Sequence, residues 1–235
     1  MNYFDYQIIS YLNQFARHSD MFDNFVVLLA HSSMLKGGVL ITLIWWAWFR
    51  NEDRHSRDRE HILLTLLSCM VALVLGRGLA LMLPFRIRPL HEESLHFLLP
   101  NGQEPTTLEG WSSFPSDHAV LFFTLATGLL FISRKAGVFA LFYVTLFIAI
   151  PRMYLGLHYP TDLIAGAILG IAIALAGNIY FVMNKNIRLI TDWSYSKPQL
   201  FYPLFFLSTC EMVNMFIDSR DLIEYVSNLI QSIIA

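Results

Sequence analysis

Pro151-Arg152-Met153-Tyr154-Leu155-Gly156-Leu157-His158-Tyr159-Pro160-Thr161-Asp162 lies between two long apolar stretches. A histidine follows the arginine after six residues, and an aspartate follows that histidine after four. These are the groups that phosphoryl transfer to an imidazole requires. Arginine holds phosphate oxygens in a bidentate fork. Histidine attacks phosphorus, and a carboxylate fixes its tautomer and stabilises its charged form. Charge beside lipid-length helices is costly unless it has a task. Pro160 suits the first position of a helix, which places His158 just before that helix and Asp162 in its first turn.

Outward from this turn the chain is apolar. Of its 235 residues 55% are hydrophobic and 14% charged, against about 25% charged in an average soluble domain. With several apolar runs of about 18–20 residues, the composition predicts an all-α, multi-pass transmembrane helical bundle. The net charge of −2 supplies no field for nucleic acid. Cys69 and Cys210 lie in apolar segments and read as small buried hydrophobes. Met1 to Ser10 carry Asp5 and no basic n-region, so no cleavable signal peptide is expected.

The organisation expected is an N-terminal segment over 1–33, a transmembrane core over 34–185, and a C-terminal helix or helices over 186–235. Residues 3–16 read as an interfacial helix. Residues 21–31 are too short to span alone, and read either as re-entrant or as the start of one long bent element through Lys36. Spans are expected over 35–49, 61–83 (ended by Pro84), 117–133, 136–151 and 160–183, with 199–217 apolar enough to be another and 221–234 amphipathic. Trp45, Trp46, Trp48 and Phe49 read as an interfacial belt. The polar interruption at 84–115 is long enough to suggest a functional loop. Its His91, Glu92, Glu93 and His96 read as solvated, and with no convincing third ligand no metal site and no cofactor are expected.

Arg50, Arg54, Arg57, Arg59, Arg134, Lys135, Lys185, Arg188 and Lys197 fall in one set of connections, and only Arg17, Arg86, Arg88 and Arg152 in the other. The first set is therefore expected to be cytoplasmic. The 84–115 loop and the 151–159 turn then share the outer face.

Two further clusters lie on that face. Arg77 sits inside a predicted span and needs an anion, a carbonyl or water, or else snorkels; Arg86 and Arg88-Pro89 follow it. Phe114-Pro115-Ser116-Asp117-His118 opens the next helix. Ser116 suits an N-cap, and the first turn behind it offers free N–H groups and a positive dipole end to a phosphate. Capping accounts for Ser116 and Asp117 but leaves His118 without a role.

Taken in order, the three clusters resemble the signature motifs of the type 2 phosphatidic acid phosphatase superfamily, whose core is shared with vanadium-dependent haloperoxidases. Those motifs are a lysine, six residues, then Arg-Pro; Pro-Ser-Gly-His; and Ser-Arg, five residues, His, three residues, Asp. Arg88-Pro89 matches the end of the first, Pro115-Ser116-Asp117-His118 three places of the second, and Arg152, His158 and Asp162 the third. The resemblance covers about residues 75–180. Leu81 stands where the family has its lysine, Asp117 where it has glycine, and Pro151 where it has serine. Either Arg77 or Arg86 is a candidate to replace the lysine.

The resemblance implies a phosphatidic acid phosphatase/haloperoxidase-like core and a metal-independent phosphatase. It implies that His158 is the nucleophile, that Asp162 orients it, and that His118 protonates the leaving oxygen and then activates water. Arg88, Arg152, Ser116, Arg77, Arg86 and Asp117 are the candidate phosphate-binding positions. A site at headgroup depth between lipid-facing helices suits a lipid phosphomonoester or polyprenyl pyrophosphate. By analogy the setting is a bacterial inner (plasma) membrane, with the site facing the periplasm or exterior. A lipid phosphotransferase using the same site and a non-catalytic phospholipid binder or transporter are the alternatives.

Overall fold

The computed structural model describes residues 2–50, 55–180, 185–216 and Tyr225. Among these residues every regular element is helical. Helix α1 (Tyr3–Asn13) is capped by Asn2, whose side-chain oxygen accepts from the Asp5 N–H at 2.7 Å. Helix α2 (Asp20–His31) is capped by Ser19. A π-helical turn at Met34–Gly38 leads into α3 (Val39–Phe49), and the two halves meet at a 68° bend. The 68° break between α2 and the Met34–Phe49 run is compatible with both expectations for residues 21–31, a re-entrant segment and a bent element running through Lys36.

Helix α4 (His55–Met82) stops short of Pro84. Helix α5 spans Asp117–Ile132. Helix α6 (Arg134–Tyr143) passes through a π-helical stretch into α7 (Ile150–Tyr154), and α8 runs Pro160–Tyr180. Helices α9 (Lys185–Ser196) and α10 (Pro198–Val213) close the described chain. By sequence Lys185, Arg188 and Lys197 count among the connections, while 186–235 is expected to hold a C-terminal helix or helices; residues Lys185–Ser196 form α9. The reason is a short amphipathic stripe: Ile187, Thr191 and Ser194 are buried while Leu189 and Tyr195 face out, the i, i+4, i+7 pattern of one helix face. Apart from Tyr225, the stretch 221–234 lies outside the described residues.

Arg57–Met82, Arg134–Tyr154 and Pro160–Ile179 are long and apolar enough to cross a membrane, and the bent α2–α3 pair is a fourth candidate. Helix α5 has 16 residues and is enclosed by α4, α6 and α8, with Val120, Leu125, Ala126 and Leu129 all buried. A helix apolar on every side belongs in that central place. Lipid competes with apolar side chains for contact, so small residues that allow close approach drive helix packing in a bilayer. Gly166 and Gly170 of α8 fill that role. A Cβ on Gly166 would come within 2.6 Å of the Ser116 carbonyl, and one on Gly170 within 2.4 Å of the Val120 carbonyl.

Hydrogen bonds and ion pairs identify the two ends of the bundle. Arg50 donates to the Ile132 carbonyl at 3.3 Å and pairs with Asp58 at 3.4 Å, while Arg188 pairs with Glu60 at 3.4 Å. The 83–116 loop and the 155–159 turn gather at the opposite end, where Ser113 N–H donates to Arg86 O at 2.9 Å and Leu90 N–H to Gly156 O at 3.0 Å. The aromatic belt differs from expectation. Trp46 and Phe49 face outward, but Trp48 is fully buried against Phe201 and Phe205, and Trp45 donates to Thr209 at 3.3 Å. Positions 45 and 48 share a helix face, and that face carries α10.

Candidate active site

Residues 84–116 wrap over the end of the bundle and deliver Arg88 into it. The Arg88 guanidinium is 6% exposed. It donates to the carbonyls of Trp111 at 3.2 Å, Ser112 at 3.1 Å and Leu157 at 2.5 Å. Its NH1 also stands 3.3 Å from His158 Nε2. Arg88 thus ties the long loop to the turn that carries His158.

His158 is 1% exposed. Its Nδ1 lies 2.9 Å from the Ser113 carbonyl. A carbonyl only accepts, so the ring proton is assigned to Nδ1, and the Nε2 lone pair faces Arg88. Burial is the main cause that holds the His158 pKa below its usual 6.5, with Arg88 and Arg152 acting in the same direction. The ring is therefore neutral, with a nitrogen lone pair available, at ordinary pH.

Asp162, expected to orient His158, pairs with it at 3.8 Å between Oδ2 and Nδ1, and the Ser113 carbonyl adds the shorter bond to the same nitrogen. That carboxylate accepts from the Tyr159 N–H at 2.8 Å, as an acid in the first turn does when it reaches back to the residue before the helix. Its other oxygen takes Arg86 NH1 at 2.5 Å. Arg86 also pairs with Asp5 at 2.6 Å and lies over the Tyr159 ring, its carbon 4.3 Å from the centroid. With two carboxylates on it, Arg86 is already engaged away from the phosphate position expected for it.

Asp5 is fully buried. It accepts from the Thr161 N–H at 3.0 Å and the Thr161 hydroxyl at 2.6 Å. An acid on α1 thus caps α8, where a negative charge is favourable. Asp5 was read only as part of an interfacial helix; its link to α8 spans 156 residues and has no local signal. Asp5→Asn is expected to lower kcat about ten- to a hundredfold with little change in KM, because Arg86 then pulls on Asp162 alone and displaces the His158 turn. Steady-state kinetics read the split.

The second imidazole comes from α5. Ser116 is the N-cap, its hydroxyl accepting from the Ala119 N–H at 3.4 Å, and its N–H donates to the Asp162 carbonyl at 3.2 Å. Asp117 turns onto the protein. One oxygen accepts from the His118 N–H at 2.9 Å and meets His118 Nδ1 at 3.0 Å. The other pairs with Arg77 at 3.1 Å, whose guanidinium lies over Trp111 at 4.9 Å. Arg77 thus finds the anion that its place in α4 demanded, and that anion is protein. His118 Nε2 is in hydrogen-bond contact with Arg152 NH2. Arg152 is 4% exposed, and among the described residues its Nε is a buried donor with no partner. The Ser113 hydroxyl is likewise buried and unpartnered.

Arg152, His118, His158 and Arg88 therefore converge, with Asp117 and Asp162 behind the two rings. Lys36, Asp5 and Ser113 join the region without having been singled out in the sequence; for Lys36 the available signal was a lone cation within an apolar stretch. His91 lies 3.1 Å from the Thr107 carbonyl. Among the described residues no group of three or more His, Cys, Asp or Glu is placed to hold a metal ion.

Two imidazoles flanked by guanidinium donors are set into one end of a helical bundle of membrane-spanning length, an arrangement chemically able to carry a phosphoryl group. Residues 62–186 match the family model described as the PAP2 superfamily. The chain belongs to the PAP2 superfamily and is a membrane lipid phosphatase. It is 24% identical over 188 residues to undecaprenyl-diphosphatase BcrC of Bacillus subtilis (strain 168), covering 80% of this chain and 88% of that one. It is 29% identical over 167 residues to bacitracin transport permease protein BcrC of Bacillus licheniformis, covering 70% and 74%. It is 45% identical over 92 residues to lipid A 4'-phosphatase of Bacteroides thetaiotaomicron, covering 35% and 37%. No solved structure matches the chain significantly.

Proposed function

We propose that this protein hydrolyses a lipid phosphomonoester or a polyprenyl diphosphate through a phosphohistidine on His158, at the extracytoplasmic surface of its membrane. The observation that carries this reading is the meeting of His158 and His118 around Arg152 and Arg88, beside helices whose outer sides are apolar. Names of the relatives point to the same substrates: two are undecaprenyl-diphosphatases, one of these putative, and a third is a lipid A 4'-phosphatase.

In the first step His158 Nε2 attacks phosphorus, and the bond from phosphorus to the leaving oxygen breaks. Ser113 holds the Nδ1 proton, and Asp162 balances the charge the ring gains. His118, made an imidazolium by a proton taken up with the substrate, gives that proton from Nε2 to the leaving oxygen, with Asp117 fixing its Nδ1 side. In the second step neutral His118 takes a proton from water as its oxygen attacks phosphorus, and His158 leaves. Arg152, with its unpartnered Nε and the N–H that now meets His118, binds the equatorial oxygens. The arginine and lysine asymmetry of the connections supports the outward orientation.

Phosphate release by purified protein in detergent tests the reading. Undecaprenyl diphosphate, phosphatidate and a 4'-phosphorylated lipid A are offered with and without chelator. Turnover of at least one, insensitive to chelator, is expected. No release from any of them, or complete loss with chelator, overturns it.

A further inference from the structure

Lys36 lies in the π-helical turn that joins α2 to α3. Such turns redirect side chains and recur at functional sites. Both sides of this one are held in place. The Tyr143 hydroxyl donates to the Leu35 carbonyl at 2.5 Å. Gly37 packs so tightly on α10 that a Cβ there would come within 2.9 Å of Val213 Cα. The backbone that presents Lys36 is thus fixed by two neighbouring helices.

Its side chain is 9% exposed. Among the described residues its ammonium makes no hydrogen bond and no ion pair. The Met34–Gly38 turn packs against the Val144–Ala149 stretch that runs straight into Arg152, and the charges of Arg152, Asp117 and His118 are electrostatic neighbours of the ammonium. A lysine this little exposed and without a direct counter-ion is costly, and a guanidinium nearby adds to the cost. The neighbouring anion relieves it only in part, since Asp117 is also held by Arg77 and His118. Around the two imidazoles the cations Lys36, Arg77, Arg86, Arg88 and Arg152 meet the carboxylates of Asp5, Asp117 and Asp162, leaving two positive charges over. A phosphate dianion supplies the missing charge. Leu81 stands at the position of the first motif's lysine, and the other candidate replacements, Arg77 and Arg86, are both engaged with carboxylates.

We propose that Lys36 is a phosphate-binding residue of this site, contributed by a turn outside residues 62–186, the stretch matched by the family model. Its ammonium joins Arg152 on the oxygens of the lipid's terminal phosphate and stands in for the absent motif lysine. This rests on the phosphatase reading above, but its binding half is measurable without turnover.

The test uses the full chain in detergent with Lys36→Met and Lys36→Arg. Inorganic phosphate is titrated by calorimetry, thermal unfolding is recorded, and KM and kcat are measured on whichever lipid phosphate the wild type hydrolyses. Lys36→Met is expected to weaken phosphate binding at least tenfold and raise KM at least tenfold. Its melting temperature should equal or exceed that of wild type, because an unpaired buried charge has been removed. Where Lys36→Met instead melts lower, Lys36→Arg decides: restored phosphate affinity upholds the assignment, and unrestored affinity marks Lys36 as structural and overturns it. Phosphate affinity in Lys36→Met within twofold of wild type also overturns it. A wild type that binds phosphate but hydrolyses no lipid phosphate defeats the functional reading alone, and the calorimetric comparison still decides Lys36.

Discussion

His158→Asn is expected to reduce phosphate release by about 10⁴-fold or more, the scale seen when a covalent catalyst loses its nucleophile. Asparagine keeps a donor for the Ser113 carbonyl but has no basic nitrogen where Nε2 stands, so the loss reports chemistry and not folding. Rapid acid-free quenching of wild type with a radiolabelled lipid phosphate should trap label on the protein, and the variant should trap none. The pH profile adds an independent check. Burial lowers the His158 pKa from 6.5, and a lowered imidazole pKa leaves the neutral nucleophile present until pH falls below that lowered value. The His158-dependent acid limb of kcat/KM should therefore lie below about pH 6.5. Turnover by His158→Asn close to wild type would remove this residue from the nucleophile role.

Arg152→Ala should cost about 10³-fold in kcat, the lower end of what a guanidinium at a transferring phosphoryl group supplies. The side chain is buried, and its Nε has no partner among the described residues, so its removal leaves few broken bonds behind. The melting temperature should stay near that of wild type. Arg152→Lys keeps the charge and loses the planar fork, and should recover only part of the rate. A kcat for Arg152→Ala within tenfold of wild type would show that this arginine does not meet the transition state.

Residues that act through their neighbours in sequence were legible, and those that act across the chain were not. The apolar runs gave the bundle, because a helix in lipid must satisfy its backbone within itself. Arg152, His158 and Asp162 lie on one turn and a helix start, and Ser116 and His118 at another, so spacing singled out both imidazoles and the family resemblance supplied their expected roles. Arg77 and Arg86 were plausible phosphate ligands only while their carboxylates were unknown. Asp117 and Asp5 occupy those arginines, and Asp5 does so across 81 residues of chain. The shorter orienting bond on His158 comes from the backbone carbonyl of Ser113, which no residue type advertises. Lys36 was hidden because a cation between apolar segments reads equally as a helix end or as a site.

The backbone contact between α5 and α8 through Gly166 and Gly170 has a consequence for selectivity. One of these helices opens with His118 and the other begins just past His158, so the gap between the two rings is set by carbonyl-to-glycine contact and does not widen to suit a larger guest. The hydrocarbon side has no comparable rigid gauge, since the outer flanks of the bundle present exposed apolar side chains such as Val74, Phe142 and Ile168. Discrimination should therefore fall on the anionic terminus of the molecule, while chains differing in length or branching are treated nearly alike.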